Sequence, residues 1–455
     1  MTDNQDTPRI RWTFLRWLLR LDQPVPKRSQ DEIAAEVKRN YRWNFWVNLL
    51  DGTAFWLGIG FASTSTIMPL FLSKLTDSPL PVGLLAVVTQ GGWFLPQLFT
   101  ANAVEQLARK KPIVVNLGFF LERLPFWIAA LSPLLAFRSP TLAMVVFLLA
   151  ITWHVVGGGV VATAWQDLIA RTFPLERRGR FFGLTSAVGA VVAALSARFS
   201  RYLLERYPFP TEFLYIFLLA AGGITLSWVF LSLTREPIQP ASAPRRSNRD
   251  FLRKLPTILH KDHNFRNYLI ARVLLALGTM GNGFLTVAAL QRWHIADGIV
   301  SDYTLILLVG QALSNLVFGF LADKGGHLRN LVLGALSAGV SFVIAWIAVD
   351  PRWYYLVFFL QGVAFGAVYV SGLMVVIEFC TPERRPTYVG LANTSSGIAG
   401  MSAPLLGTAL ASLNYSVLFA VSAAFSILAL IAIKWVVREP RWAKKVGSGD
   451  PTTLM

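Results

Sequence analysis

Acidic side chains are scarce in this sequence: 25 Asp and Glu stand against 42 Lys and Arg in 455 residues, and charged residues of both signs make up only 15%. So little charge beside 54% apolar residues excludes an ordinary water-soluble globule. Cysteine is nearly absent. Cys380 stands alone, which excludes an intramolecular disulfide framework and leaves the redox compartment open. No His/Cys spacing suits a metal, so neither metal nor cofactor is expected. A membrane-embedded enzyme handling lipid or glycan is disfavoured by the lack of a G-x-S-x-G turn with partners. ATP-driven pumping is disfavoured by the lack of a G-x-x-x-x-G-K-[ST] phosphate loop. The polar N-terminus carries no apolar secretory core or small-residue cleavage site, so the first span is expected to anchor itself.

Long apolar runs are what the chain has. Stretches of about 18 to 25 residues, the length that crosses a bilayer, fall near 44–72, 81–104, 112–136, 141–166, 181–204, 212–234, 265–290, 302–322, 329–349, 353–377, 387–412 and 414–437. They predict an all-α membrane protein of about twelve transmembrane helices. The formal charge of +17 is not spread as a nucleic-acid binder would have it. Arg109-Lys110-Lys111, Arg177-Arg178-Arg180, Arg245 to Lys261, Arg384-Arg385 and both chain ends lie in alternate connections, as the positive-inside rule expects, which places both termini in the cytoplasm. Arg198, Arg201 and Arg206 at the other end of the fifth span break that bias. In the N-terminal arm, RIRWTFLRWLLRL puts Trp12, Leu15, Leu18 and Leu19 at helical spacing with arginines alongside, either an interfacial helix on anionic lipid or a solvated basic tail. Ser29 to Glu32 has capping-box spacing and starts the next helix.

The chain repeats itself. A shift of roughly 220 positions lays NFWVNLLDGTAFWLG (Asn44 to Gly58) over NFRNYLIARVLLALG (Asn264 to Gly278), and ANAVEQLARKKP (Ala101 to Pro112) over GFLADKGGHLRN (Gly319 to Asn330). A slightly smaller shift brings ERRGRFFGL (Glu176 to Leu184) onto ERRPTYVGL (Glu383 to Leu391). Two halves of equal span number, in the same orientation, are therefore expected: an arm over 1–42, bundles over 43–234 and 264–438, a Pro- and Ser-rich tether over 235–263 with a short surface helix near Phe251 to Leu259, and a tail over 439–455.

With G-x-L-A-D-[RK]-x-G-[RK]-[RK] matched at Gly319, Leu321, Ala322, Asp323, Lys324 and Gly326, the sequence resembles the major facilitator superfamily of secondary transporters. The first-half copy is weaker, with Ala101, Glu105 and Ala108 in place of Gly, Asp and Gly, while Arg109 is kept. The resemblance implies two pseudo-symmetric six-helix bundles and a near-membrane latch. In it Asp323 faces the start of the fifth span near Gly179 and Arg180, Glu105 faces the eleventh near Thr387, and Asp167 and Glu378 pair with Arg109 and with Lys324 or Arg329. It further implies that spans 1, 4, 7 and 10 line a central cavity with 2, 5, 8 and 11 beside them. That projection collects Trp56, Gln90, Trp93, Trp153, Trp165, Asn282, Gln311, Asn315, Gln361, Tyr369 and Asn393 as candidate substrate contacts.

A charge at membrane depth costs at least about 2.5 to 3.5 kcal/mol and is a functional candidate. Asp51, Glu122, Arg123, His154 and Arg272 fall there. Asp51 and Arg272 occupy nearly equivalent repeat positions, which suggests an ion pair across the halves, serving either transport or helix register. Glu122 and Arg123, as neighbours on a helix, are expected to serve different partners. His154 is read as a hydrogen-bonded interior histidine or a proton relay. The function expected is secondary transport of a small organic solute by alternating access, with optional proton coupling, in a monomer embedded in lipid and free of nucleic acid. Efflux of drugs or metabolites, and a transport-inactive receptor or scaffold, are the alternatives.

Overall fold

The computed structural model describes residues 13–26, 28–105, 107–239, 259–380 and 385–440. All its regular elements are helical. Twelve long helical segments follow one another: span 1, Gln30–Phe61; span 2, Leu80–Glu105; span 3, Ile113–Ala136; span 4, Pro140–Thr172; span 5, Leu175–Arg206; span 6, Thr211–Ser232; span 7, His263–Trp293; span 8, Asp297–Gly325; span 9, His327–Ile347; span 10, Trp353–Phe379; span 11, Arg385–Leu413; and span 12, Tyr415–Val436. Spans 3 to 12 are long and apolar enough to cross a bilayer, and spans 1 and 2 pack among them as helices of 32 and 26 residues. This is a multi-pass membrane protein. Of the surface helix expected near Phe251 to Leu259, all but Leu259 falls outside the described residues.

Span 1 starts well before its apolar run because the capping box forms. The Glu32 amide donates to Ser29 Oγ at 3.2 Å and the Ser29 amide to Glu32 Oε2 at 3.1 Å, which satisfies two orphan amides of the first turn. It ends at Phe61. The rest of the run expected to 72 becomes a separate helix, Ile67–Leu75, whose Ile67, Leu70, Phe71 and Leu72 are wholly buried.

Packing repeats with the sequence. Span 1 lies against spans 5 and 6 as span 7 lies against 11 and 12, and span 2 packs on 4 as span 8 packs on 10. The halves meet through spans 5 with 8 and 2 with 11. Each half is closed by the same clasp. Asn44 Nδ2 donates to the Arg235 carbonyl at 3.0 Å and its Oδ1 accepts from the Arg235 amide at 2.9 Å, while Asn264 does the same with Arg438 at 2.8 Å and 2.8 Å. The next residue is glutamate in both cases. Glu236 accepts from the amides of Lys110 and Lys111 at 2.7 and 3.0 Å, and Glu439 from the Leu328 amide at 3.2 Å. Each carboxylate so caps the start of span 3 or span 9, where free amides and the helix dipole favour negative charge.

Candidate functional site

The face carrying both ends of the described chain is called the near face, and its opposite the far face. In the first half, five polar groups meet in the bundle interior. Asp51 of span 1 is buried and its Oδ1 accepts from Ser227 Oγ of span 6 at 2.6 Å. Arg123 of span 3 is buried too, ion-paired through Nη1 to Glu122 Oε2 and close enough to Asp51 for the charges to interact. Its Nε has no hydrogen-bond partner among the described residues. Glu122 and Arg123 thus serve each other, against the expectation of separate partners. They sit on a π-helical turn, Phe119–Arg123, whose wider winding changes the direction of successive side chains. His154 Nδ1 lies 2.8 Å from the Glu122 backbone carbonyl. A carbonyl only accepts, so Nδ1 carries the proton.

The run Gly157 to Gly159 makes this nest reachable. A Cβ on Gly157 would stand 2.1 Å from the Leu121 carbonyl oxygen, one on Gly159 2.5 Å from that of Gly92, and one on Gly158 2.9 Å from Glu122 Oε1 and 3.2 Å from the Trp93 ring. Span 4 therefore admits spans 3 and 2 on bare backbone, as small residues do in lipid, and Glu122 and Trp93 both border Gly158.

Arg272 does not pair with Asp51. Its Nη1 donates to the Gly372 carbonyl at 3.1 Å and approaches the Tyr268 hydroxyl at 3.5 Å. Both charges turn into their own bundle, because each is on the face of its span that packs on its own half. The candidate substrate contacts divide. Asn282 lies in a 3₁₀ turn, Thr279–Phe284, that interrupts span 7, and the amide oxygens of Asn282 and Asn315 have no hydrogen-bond partner among the described residues. Gln90 of span 2 meets Gly400 of span 11 across the halves. Trp93, Trp153 and Tyr369 are exposed, and Gln311 and Asn393 half-buried. Three residues fall elsewhere: Gln361 is buried and donates to Ser341 Oγ at 2.9 Å inside the second half, Trp56 packs on Gly189, and Trp165 joins near-face apolar clusters.

Of the near-face latch, the side chains of Glu105, Asp323, Lys324, Arg180 and Thr387 lie outside the described residues. Asp167 pairs not with Arg109 but with Lys110 Nζ at 3.1 Å and Arg171 Nη2 at 3.1 Å. Arg109 instead donates to the carbonyls of Gln23 and Pro24 at 2.9 and 2.8 Å. Glu378 faces His327 Nε2 at 3.9 Å, and Arg329 is exposed. Burial lowers the Lys110 pKa, aided by the Arg171 charge, and raises that of Glu236. Gly326 takes a left-handed φ of 81°, and a Cβ there would stand 2.5 Å from the Glu439 carboxylate, which only glycine accepts easily. Around Gly319, by contrast, no atom of the described residues lies within 4 Å of a Cβ.

Among the described residues, polar contacts between the halves gather at the far face. Arg201 of span 5 pairs with Asp302 of span 8, Lys74 with Asp297 at 2.8 Å, Thr66 Oγ1 with Thr304 Oγ1 at 2.5 Å, and Thr286 Oγ1 donates to the Ser65 carbonyl at 3.2 Å. Sequence reasoning missed this set. The signal was there, since Arg201 is one of the cations that breaks the charge bias. Spans 2 and 11 touch from Gly83 against Thr408 down to Phe94 against Gly397. Nearer the termini, Phe99 of span 2 and Phe320 of span 8 are 71% and 73% exposed.

Two parallel helical bundles joined at one face, with polar groups between them and a broken span at the centre, define the transporter-type membrane folds built on repeats. The sequence profile of the Major Facilitator Superfamily matches residues 268–453, most of the second half of the chain. It is similar to the uncharacterized MFS-type transporter YfkF of Bacillus subtilis (strain 168), 24% identical over 42% of this chain and 48% of that one, so it spans about half the length of this relative. It is also similar to the uncharacterized MFS-type transporter MJ1317 of Methanocaldococcus jannaschii, at 22% identity over 79% of this chain and 87% of that one. In structure it is similar to a partially occluded inward-open form of the xylose transporter XylE from E. coli, with a TM-score of 0.62 at 14% identity, covering 88% of this chain and 98% of that one.

Proposed function

We propose that this protein is a secondary transporter of a small polar organic solute, working by alternating access with both termini in the cytoplasm of a bacterial cell and as a monomer. The observation that carries the reading is the set of paired charges between the halves at the far face, with Phe99 and Phe320 exposed toward the near end among the described residues. A far-face gate closed in this way fits a cytoplasm-open state. Asn282, Asn315, Gln90 and Gln311 offer amides for a hydroxylated or amide-bearing solute, and Trp93 an aromatic wall.

Glu122 is the proposed proton-sensitive group, since its carboxylate and the Trp93 ring both border Gly158 of span 4, while Asp51 holds Arg123 in place from behind. The test is uptake into proteoliposomes of candidates selected by thermal shift, where a ligand of the folded state raises the melting temperature. Uptake driven by an imposed pH gradient, and lost with Glu122→Gln while the ligand still stabilises the protein, is expected. Uptake that ignores the gradient sinks the coupling, and no ligand response from any polar solute class sinks the transport reading.

A further inference from the structure

The N-terminal segment is absorbed by none of this. The arm helix Thr13–Leu18 and the turn after it lie against the near end of the first half, not free over the membrane surface. Leu18 and Leu19 are buried, and Leu15, Leu19 and Leu21 share an apolar cluster with Val104, Leu107, Ile113 and Leu231. Polar contacts fix the seat: Asn116 Nδ2 donates to the Leu18 carbonyl at 2.7 Å, and Arg109 holds the carbonyls of Gln23 and Pro24. Arg20, with a φ of 52°, turns the chain so that those carbonyls face Arg109. Asn116 belongs to the first turns of span 3, so the arm lies at the depth where an aqueous boundary meets lipid.

Its other face carries two aromatic rings exposed among the described residues. Phe14 and Trp17 are 62% and 70% exposed with ring centroids 6.0 Å apart. Aromatic rings at that depth belong to the lipid interface. Within the described arm Arg16 is paired to Asp22 at 2.7 Å while Arg20 is exposed, and each cation near an anionic leaflet contributes about 1 kcal/mol. We infer that the arm is a docking surface for anionic lipid headgroups, and that lipid charge thereby sets the position of Arg109. With the arm seated, Arg109 is held on backbone carbonyls while Lys110 and Arg171 take Asp167. With the arm released, Arg109 is free for the near-face latch. This goes beyond the transport reading and stands whether or not a solute moves.

The test uses the full chain in nanodiscs of phosphatidylcholine, with and without phosphatidylglycerol, read by amide hydrogen exchange over 13–26 and 107–117. Anionic lipid is expected to slow exchange in both segments about fivefold at low salt, the ratio that about 1 kcal/mol supplies, with the gain lost at high salt. Phe14→Ser with Trp17→Ser touches only exposed rings and is expected to abolish the lipid response, and Arg109→Gln to speed arm exchange in both lipids. Equal exchange with and without anionic lipid, or a lipid effect that survives the double substitution, overturns the docking surface. Unchanged arm exchange in Arg109→Gln overturns the coupling.

Discussion

Arg123 is the residue on which the interior of the first half depends. Among the described residues it is the cation in contact with Glu122 and within electrostatic reach of Asp51, and it is itself buried. Removing one partner of a buried ion pair leaves an uncompensated charge, typically at a cost of about 3–5 kcal/mol. Arg123→Gln is therefore expected to lower the melting temperature in detergent sharply, and Arg123→Gln with Glu122→Gln to recover part of the loss. A single variant as stable as the parent would remove the nest from the account. Gly157→Ala should also destabilise, because its Cβ meets the backbone of Leu121 and not a flexible side-chain tip. Sequence showed that these charges lie in the membrane, yet not where they turn. Asp51 and Arg272 suggested a bridge because they occupy matching positions, but matching positions in a repeat point into matching places, each inside its own bundle.

At the scale of elements, the starts of spans 3 and 9 rest on carboxylates delivered from distant chain, Glu236 and Glu439. Because burial raises the Glu236 pKa above the ordinary carboxylate value, the folded state holds that proton more tightly than the unfolded one. Its contribution to stability is then fully present below the ordinary pKa and declines as pH rises through the raised value. Thermal unfolding followed over mildly acidic pH is expected to show that decline in the parent and not in Glu236→Gln. Equal slopes for both would place the carboxylate in water. Glu236→Ala, which loses both amide contacts, should cost about 1 kcal/mol, the usual worth of a helix cap.

Element existence was legible: the spans, the repeat and the Ser29 to Glu32 cap follow from local spacing of apolar and polar residues. The paired Arg-Glu-Pro steps at Arg235 and Arg438 were equally present in the sequence. They were passed over because a clasp between the first and last helix of a bundle joins residues 191 and 174 positions apart, a distance over which spacing carries no information. The diversion of Arg109 was hidden for the same reason, since its carbonyl partners carry no side-chain signature.

At the scale of the molecule, the far-face pairs decide which state is populated. Arg201–Asp302 and Lys74–Asp297 are partly exposed, so each is worth at most about 1 kcal/mol. Arg201→Gln with Lys74→Gln should therefore open the far face by about threefold to tenfold in population, not completely. In a Cys380→Ser background, a cysteine placed at Thr304 would report this as faster reaction with a membrane-impermeant maleimide. Labelling no faster than with both charge pairs intact would mean that contacts other than these pairs keep the far face shut.

The twin clasps carry one more consequence. Since Asn44 stitches to Arg235 and Asn264 to Arg438, each bundle is tied off at its own two ends. A gene divided within residues 240–258 should then yield two polypeptides that insert independently and reassemble in the bilayer, recoverable together by a tag on either one.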